Sequence, residues 1–369
     1  MKGLALTMNG LEDIAANEIK SILKTNTKKL TGIVLFDFKK ETDLCKLAYN
    51  LRSVTKIIYL YKIFNFSTKK DLIKKISEIN FSKFIKNSFV VKCNRLGNHN
   101  FNSNEIEREV GEVILEKYKT KVDLKNATTI IYLDINDTNC VIGIDFSGNL
   151  LNKRFYKVKN YRNSLNACLA FSLLKIAGWK TKETLLNVNC GTGEVLIEAA
   201  LYACKIPQGF NRKEEFPFLR LLNLNSNFFN QFDNEINKKI KLKIIGIDGL
   251  FYNVRNSIIN AKIATVDDKI KFENYNIEWL DTKFKENSID KIIAQFVISK
   301  RDKDVEKNYR EFFNQSKNIL KKKCLIILVI NKTDFIKEIA EKYNFRLFKE
   351  LQAFIGEAKY NILVFKKSI

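Results

Sequence analysis

A glycine-bracketed turn is the part of this sequence best suited to chemistry. Residues 187–200 read NVNCGTGEVLIEAA, in which an apolar run that begins at 184 leads into the turn and a helical pattern follows. A strand, a glycine turn and a helix in succession present backbone N–H groups to a nucleotide-like ligand. Glycine is needed where the ligand approaches the backbone closely. A tight strand-to-helix connection that binds no ligand fits the same pattern.

A carboxylate at the end of the next buried segment favours the ligand interpretation. The run at 243–248, KIIGID, predicts a strand that ends at Asp248, and Gly249 follows it. In such sheets an acidic residue at the tip of the second strand accepts hydrogen bonds from ribose hydroxyls. Asp248 is therefore a candidate ribose ligand, although an aspartate at this place also suits a helix N-cap.

Alternating apolar segments predict the elements that would position these residues. They indicate an α/β fold, with a Rossmann-like, doubly wound sheet of seven strands that ends in an antiparallel hairpin. A long insertion around 207–237 separates its first two strands. The remaining strands are expected at 269–272, 289–295, 324–330, 346–351 and 360–365. Helices are expected at 305–320, where the pattern is long and amphipathic, and near 334–343.

The N-terminal half predicts an α+β module. Residues 1–61 have the pattern of a small βαββαβ unit, and residues 88–146 have that of a strand, an asparagine-rich loop, a helix and two strands. Asn104 and Glu107 have the spacing of a capping box at the start of that helix.

Both halves resemble one family, the THUMP-containing class I S-adenosylmethionine-dependent RNA guanine-N2 methyltransferases in their archaeal form. Its glycine loop reads D-P-x-C-G-[ST]-G with I-E-A-A behind it, and residues 190–193 and 197–200 match. Asn187 stands for the family's aspartate and Val188 for its proline. Residues 88–146 resemble a THUMP domain, with its R-x-G-x-H-x-F loop and K-V-D-L turn. The resemblance implies a ferredoxin-like domain at 1–62, a THUMP domain at 63–152 and a methyltransferase domain at 153–369.

The resemblance also implies a cofactor and a substrate. The cofactor would be S-adenosyl-L-methionine, and the THUMP and ferredoxin-like modules would hold tRNA by its acceptor end. Residues expected to bind the cofactor are Asn187, Asn189, Cys190, Gly191, Thr192, Gly193, Asp248, Gly249, Asn276 and Ile277. For Asn276, which would lie near the adenine, an ordinary turn residue is the alternative. Residues expected to contact RNA are Arg95, Asn98, His99, Lys300 and Arg301, for which a structural loop or a solvated surface is the alternative.

The catalytic strand end departs from the family. Where the family has a [DN]-[LP]-P-[YF]-like motif, this chain reads AQFVISKR at 294–301. Gln295 would supply the carboxamide that accepts a hydrogen bond from the base, and Phe296 would stack on the flipped base. A strand-end glutamine in a degenerate site is the alternative.

Composition agrees with an RNA partner and excludes several other classes. The net charge is +23 over 369 residues, which is typical of polyanion-binding proteins, although drift toward A/T-rich codons also inflates lysine. The single histidine, His99, and seven cysteines without a CxxC pair predict no metal site. Unpaired cysteines, no signal peptide and no long apolar run indicate a cytoplasmic protein without a membrane span. We expect a monomer.

Two other functions fit the same sequence. An RNA-binding protein with an inactive methyltransferase domain would explain Asn187 and Val188, and a methyltransferase for another RNA base would retain the same cofactor loop.

Overall fold

The computed structural model describes residues 1–161, 163–296, 305–331, 335–356 and 358–368. The chain divides into two compact units. The first contains Met1–Thr7, Ala15–Leu151 and Gly209–Asn234, and the second contains Met8–Ile14, Asn152–Gln208 and Glu235–Ile369.

Strands and helices alternate along most of the chain. The strands are β1 Lys2–Thr7, β2 Thr27–Leu30, β3 Ile33–Asp37, β4 Val54–Asn65, β5 Ser88–Leu96, β6 Lys121–Val122, β7 Thr129–Asn136, β8 Asn139–Asp145, β9 Leu185–Val188, β10 Ile244–Asp248, β11 Ile270–Asn274, β12 Ile289–Phe296, β13 Leu320–Ile330, β14 Phe345–Ile355 and β15 Ala358–Lys367. The α-helices are α1 Glu12–Leu23, α2 Glu41–Asn50, α3 Lys69–Ser77, α4 Ser103–Tyr118, α5 Ala167–Ile176, α6 Glu194–Ala203, α7 Phe218–Leu221, α8 Asn230–Asp233, α9 Phe251–Ile263, α10 Leu280–Lys283, α11 Val305–Ile319 and α12 Ile336–Lys342.

The first unit is built on one eight-stranded sheet in the order β2-β3-β1-β4-β8-β7-β5-β6. Its first six elements follow the predicted βαββαβ order. Strand β4 is long enough to pair with β1 over its first half and with β8 over its second half. The ferredoxin-like and THUMP-like segments therefore share a continuous sheet.

Helix α4 starts two residues earlier than the capping-box spacing predicted. Asn102 is the N-cap, and its side-chain oxygen accepts a hydrogen bond from the Glu105 backbone N–H at 2.9 Å. Glu107 does not close a capping box with Asn104; its carboxylate accepts a hydrogen bond from the Cys93 backbone N–H at 2.8 Å. The prediction was wrong because Asn102 has the same local signal and the strand β5 supplies Glu107 with another donor.

The segment Gly209–Asn234 belongs to the first unit, although the sequence placed it inside the methyltransferase domain. Its aromatic side chains pack around Tyr49 of α2, with ring centroids 4.6 Å from Phe229 and 6.1 Å from Phe216. The Tyr49 hydroxyl donates a hydrogen bond to Asp233 Oδ1 at 2.6 Å. The insertion is therefore a packed part of the N-terminal unit.

The second unit contains a seven-stranded sheet in the order β11-β10-β9-β12-β13-β15-β14. Strands β9 to β13 run parallel, and β15 pairs antiparallel with both β13 and β14. This confirms the predicted doubly wound sheet with its terminal hairpin. The chain leaves β9 toward β10 and later returns to the other side of β9 as β12. The crevice beyond β9 and β12 is thus the switch point at which such sheets bind ligands.

Apolar side chains explain why the parallel strands form the centre of this unit. All four residues of β9 are buried, and α6 is buried along nearly its whole length. Strands covered on both faces need continuous apolar runs, which the sequence provides. None of the helices in the described residues is long and apolar enough to span a membrane.

Candidate cofactor and catalytic site

The glycine turn forms a loop at the carboxyl edge of the sheet, between β9 and α6. Asn189, Gly191 and Gly193 all have positive φ angles, of 53°, 58° and 85°. The loop is fixed by backbone hydrogen bonds from Cys190 N to Ile247 O at 3.0 Å and from Gly193 N to Cys190 O at 2.9 Å. Gly193 precedes α6 without a side-chain cap, so the helix begins with backbone donors directed into the loop.

Asp248 lies beside this loop, as the sequence predicted. Its Oδ2 accepts a hydrogen bond from Gly191 N at 3.0 Å, and its Oδ1 accepts from Leu250 N at 2.9 Å and from Asn253 Nδ2 at 3.1 Å. The residue is 5% exposed, and burial raises the pKa of its carboxyl while the three hydrogen bonds oppose that rise. Asp248 therefore stabilises the turn before α9 through Oδ1 and presents its carboxylate to the glycine loop through Oδ2.

The asparagines and the threonine of the loop have distinct roles. Asn187 is buried; its Nδ2 donates to Ile293 O at 2.8 Å, whereas its Oδ1 makes no hydrogen bond within the described part of the chain. Asn189 Nδ2 donates to Gln295 O at 3.2 Å, which ties the loop to β12. The Thr192 hydroxyl donates to Glu194 Oε1 at 2.6 Å.

Cys190 fills space beneath the loop. Its side chain is buried, with Sγ 4.0 Å from Ser257 Oγ, and burial raises the pKa of the thiol. A thiol with a raised pKa is a poor nucleophile at neutral pH. Cys190 is thus placed as a packing residue of the loop.

Helix α9 contributes buried polar side chains that the sequence reading did not select. Ser257 Oγ donates to Gly191 O at 2.8 Å, and Asn260 Nδ2 donates to Thr192 O at 3.1 Å. With Asn253, which binds Asp248, they occupy positions i, i+4 and i+7 of one helical face. That spacing of polar residues along the buried face of the helix was a signal that the sequence offered.

The predicted adenine-side residues also come together. A Cβ built on Gly249 would lie 2.6 Å from Asn276 Oδ1, so these two residues are in direct contact across the β10 and β11 ends. Asn276 precedes the 3₁₀ turn Ile277–Trp279, and Trp279 N donates to Asn276 O at 3.2 Å. Ile277 is half-buried in this turn.

Gln295 lies at the end of β12 and is nearly buried. Its Nε2 donates a hydrogen bond to the backbone oxygen of Asn163 at 2.6 Å. A carboxamide held through its nitrogen keeps Oε1 as the acceptor. The acceptor role predicted for Gln295 would use this oxygen.

Phe296 does not share that environment. Its ring packs edge-on against Tyr309 at 5.1 Å and Phe312 at 5.2 Å, inside the core formed with α11. Successive residues of a strand point to opposite faces, so Gln295 and Phe296 diverge. The packing argues against the predicted stacking role of Phe296. Lys300 and Arg301 lie outside the described residues.

The three predicted RNA contacts of the THUMP-like segment lie in the first unit. Arg95 Nη1 donates to Gly97 O and to His99 Nδ1, both at 2.9 Å, and His99 Nε2 is 2.7 Å from Asp137 O. Asn98 is exposed on the same loop. A cavity of about 420 Å³ adjoins this loop and is lined by Asn98 and His99. No group of three or more histidine, cysteine or acidic residues arranged to hold a metal occurs among the described residues.

Both halves of the chain match known protein families. Residues 154–361 match the model of the RMKL-like methyltransferase domain, and residues 66–145 match that of the THUMP domain. The tRNA (guanine(6)-N2)-methyltransferase of Methanocaldococcus jannaschii is 31% identical over 94% of this chain and 95% of its own length. The chain belongs to the THUMP-containing RMKL-like methyltransferases. This confirms the family that the sequence resembles.

A second named relative and a solved structure are also similar to this chain. The enzyme of the same name from Archaeoglobus fulgidus is 28% identical over 71% of this chain and 66% of its own length. The crystal structure of a possible methylase from Clostridium difficile 630 has a TM-score of 0.83 at 20% identity, covering 100% of this chain and 98% of that one. The latter shows the same fold.

The loop region of this methyltransferase fits S-adenosylmethionine, the cofactor of its family. At Gly191 and Gly193 the position of a Cβ is filled by the side chains of Tyr161 and Ser257, so the loop can pack this closely only with glycine. Asp248 presents a carboxylate suited to ribose hydroxyls. The unpaired Oδ1 of Asn187 is a buried acceptor suited to an ammonium group. Asn276 and Ile277 would border the adenine.

Proposed function

We propose that this protein transfers a methyl group from S-adenosylmethionine to N2 of a guanine in tRNA, at position 6. The observation that carries the proposal is the juxtaposition of the glycine loop, Asp248 and the strand-end carboxamide of Gln295 at one switch point. The name of the M. jannaschii relative, which is similar over nearly its whole length, supports the substrate and the position.

The residues of this chain would act by holding the cofactor and orienting the guanine amine toward it. S-adenosylmethionine, when bound, supplies an electrophilic methyl group on a sulfonium. The exocyclic amine of guanine has a lone pair delocalised into the base, so an acceptor for its N–H groups is needed to turn that lone pair toward the methyl. Gln295 would supply this acceptor through Oε1, since its Nε2 donates to the backbone oxygen of Asn163. In-line placement of the reacting atoms then supplies much of the rate.

We further propose that the first unit binds tRNA near its acceptor end, through the loop of Arg95, Asn98 and His99. Position 6 of tRNA lies in the acceptor stem, and the net charge of +23 favours a polyanion. The proposal also includes three expectations from the sequence: that the protein is a monomer, that it binds no metal and that it is cytoplasmic. The cysteines in the described structure are all free thiols, which agrees with a reducing compartment.

Mass spectrometry of nucleosides tests the proposal. Unmodified tRNA with guanine at position 6 is incubated with the protein and labelled cofactor, alongside the same tRNA carrying adenine there. We expect labelled N2-methylguanosine from the first tRNA alone. Product from both tRNAs would indicate another nucleotide, and another labelled nucleoside would indicate another base.

Substitution of the acceptor tests the mechanism. Gln295→Ala should lower kcat about 100-fold, as for a positioned hydrogen-bonding group, while cofactor affinity changes little. The matched control is Gln352→Ala, which removes an exposed glutamine of β14. Equal rates for the two variants would remove Gln295 from the reaction.

A catalytically inactive RNA-binding protein is the second candidate, because the core position of Phe296 leaves the predicted base stack without its aromatic ring. It predicts tRNA binding with no methylated product at any cofactor concentration. The same nucleoside experiment therefore separates the two functions.

A further inference from the structure

A tyrosine that the sequence reading did not select lies directly on the glycine loop. A Cβ built on Gly191 would be 2.9 Å from Tyr161 Cε1, 3.2 Å from its hydroxyl and 3.4 Å from Cζ. The ring can approach this closely only because residue 191 has no side chain. Tyr161 thus fills the space that a side chain at residue 191 would need and packs directly against the glycine loop.

The backbone around Tyr161 is fastened to the loop on its N-terminal side by Asn260. Asn260 Oδ1 accepts a hydrogen bond from Lys159 N at 3.0 Å, and its Nδ2 donates to Lys159 O at 2.9 Å. The same Nδ2 donates to Thr192 O at 3.1 Å. One fully buried carboxamide therefore links the segment before Tyr161 to the centre of the cofactor loop.

A second anchor lies on the C-terminal side. Ser164 Oγ accepts a hydrogen bond from Tyr161 N at 2.9 Å and is 2.7 Å from the Thr192 hydroxyl. Both Asn260 and Ser164 contact Thr192, so the backbone on either side of Tyr161 is held to the glycine loop.

The surroundings keep the phenol neutral. Burial raises the pKa of Tyr161, and the nearby charge of Asp248 raises it further. A neutral aromatic ring beside a carboxylate is a favourable neighbour for a ligand that carries a positive charge.

We propose that Tyr161 contacts bound S-adenosylmethionine through its ring, and that Asn260 is the positioning residue that holds Tyr161 on the loop. The inference rests on the cofactor of the proposed function and not on the RNA substrate. It therefore holds whichever nucleotide accepts the methyl group.

Calorimetric titration of the full chain with S-adenosylmethionine tests the contact. Tyr161→Ala should weaken binding about tenfold, as expected for losing a packed aromatic ring, and Tyr161→Phe should bind within about twofold of the wild type. The matched control is Tyr202→Ala, a more exposed tyrosine on α6 that packs on Phe171 and Lys175. Wild-type affinity in Tyr161→Ala with an unchanged melting temperature would overturn the proposal.

The positioning role is tested by a double-mutant cycle on the same binding constant. Asn260→Ser should weaken cofactor binding when Tyr161 is present but cause little further loss of affinity in the Tyr161→Ala background. The reason is that both substitutions disrupt the same contact, that between the Tyr161 ring and the cofactor. Additive losses would overturn this part of the proposal. If Asn260→Ser does not fold, Ser164→Ala removes the other anchor and is judged by the same criterion.

The outcome is distinct from that of the function test. A wild type that binds the cofactor but leaves tRNA unmodified would refute the proposed function, while the Tyr161 comparison would stand. A wild type that does not bind S-adenosylmethionine would overturn both.

Discussion

Replacing Glu198 by glutamine should strongly destabilise the cofactor-binding unit. Glu198 of α6 forms a buried ion pair with Arg154, with Nε–Oε1 at 2.8 Å, and its Oε1 also accepts a hydrogen bond from the Tyr156 hydroxyl at 3.0 Å. The two charged side chains are 1% and 0% exposed. Glu198→Gln retains the shape and one acceptor but leaves the Arg154 charge buried without its counter-charge.

The magnitude follows from that burial. Removing one partner of a buried pair costs about 3–5 kcal/mol, and the retained acceptor places this substitution near the lower value. For a unit of this size, about 3 kcal/mol lowers the melting temperature by roughly 6–12 °C. Arg154→Met combined with Glu198→Leu should recover most of the loss, since no unpaired charge remains.

Differential scanning calorimetry of the full chain measures the effect. The matched control is Glu235→Gln, which breaks the exposed pair with Lys205 at 3.1 Å, where both side chains are more than half exposed. An exposed pair contributes about 0–1 kcal/mol, so this control should shift the transition by no more than about 4 °C. Equal shifts for the two variants would refute the reasoning.

Three further predictions follow from buried polar groups. Burial raises the folded-state pKa of Asp248, so its contribution to the free energy of unfolding should fall as pH rises from about 4 through that pKa. In urea denaturation, the difference in free energy of unfolding between wild type and Asp248→Asn should therefore shift in favour of Asp248→Asn toward neutral pH. Tyr49→Phe removes the hydrogen bond to Asp233 and should cost about 1.5–3 kcal/mol, measured in urea, with faster proteolysis within Gly209–Asn234; unchanged digestion would contradict this. Asn187→Asp restores the family residue but cannot donate to Ile293 O, and it should lower the apo melting temperature rather than raise it.

Much of the second unit could be predicted from local sequence patterns. The glycine turn, the aspartate that ends β10 and the terminal hairpin depend on short-range signals: positive φ angles, apolar runs and turn residues. The divergence of Gln295 and Phe296 was also predictable, because adjacent strand residues alternate between faces. The helix N-cap at Asn102 was harder to predict, since Asn102 and Asn104 are both suitable N-cap residues.

The sequence by itself determined the succession of strands and helices along the second unit, the cofactor loop and the family. Only the tertiary structure decided that Gly209–Asn234 packs in the first unit, that Asn260 and Tyr161 meet the loop, and that Gln295 is held by Asn163. The physical reason is range. A turn or a strand is specified by neighbouring residues. These contacts join residues far apart in the chain: Tyr49 and Asp233 by 184 positions, Gln295 and Asn163 by 132, and Asn260 and Thr192 by 68. Such pairs become neighbours only when the completed sheet brings their elements together.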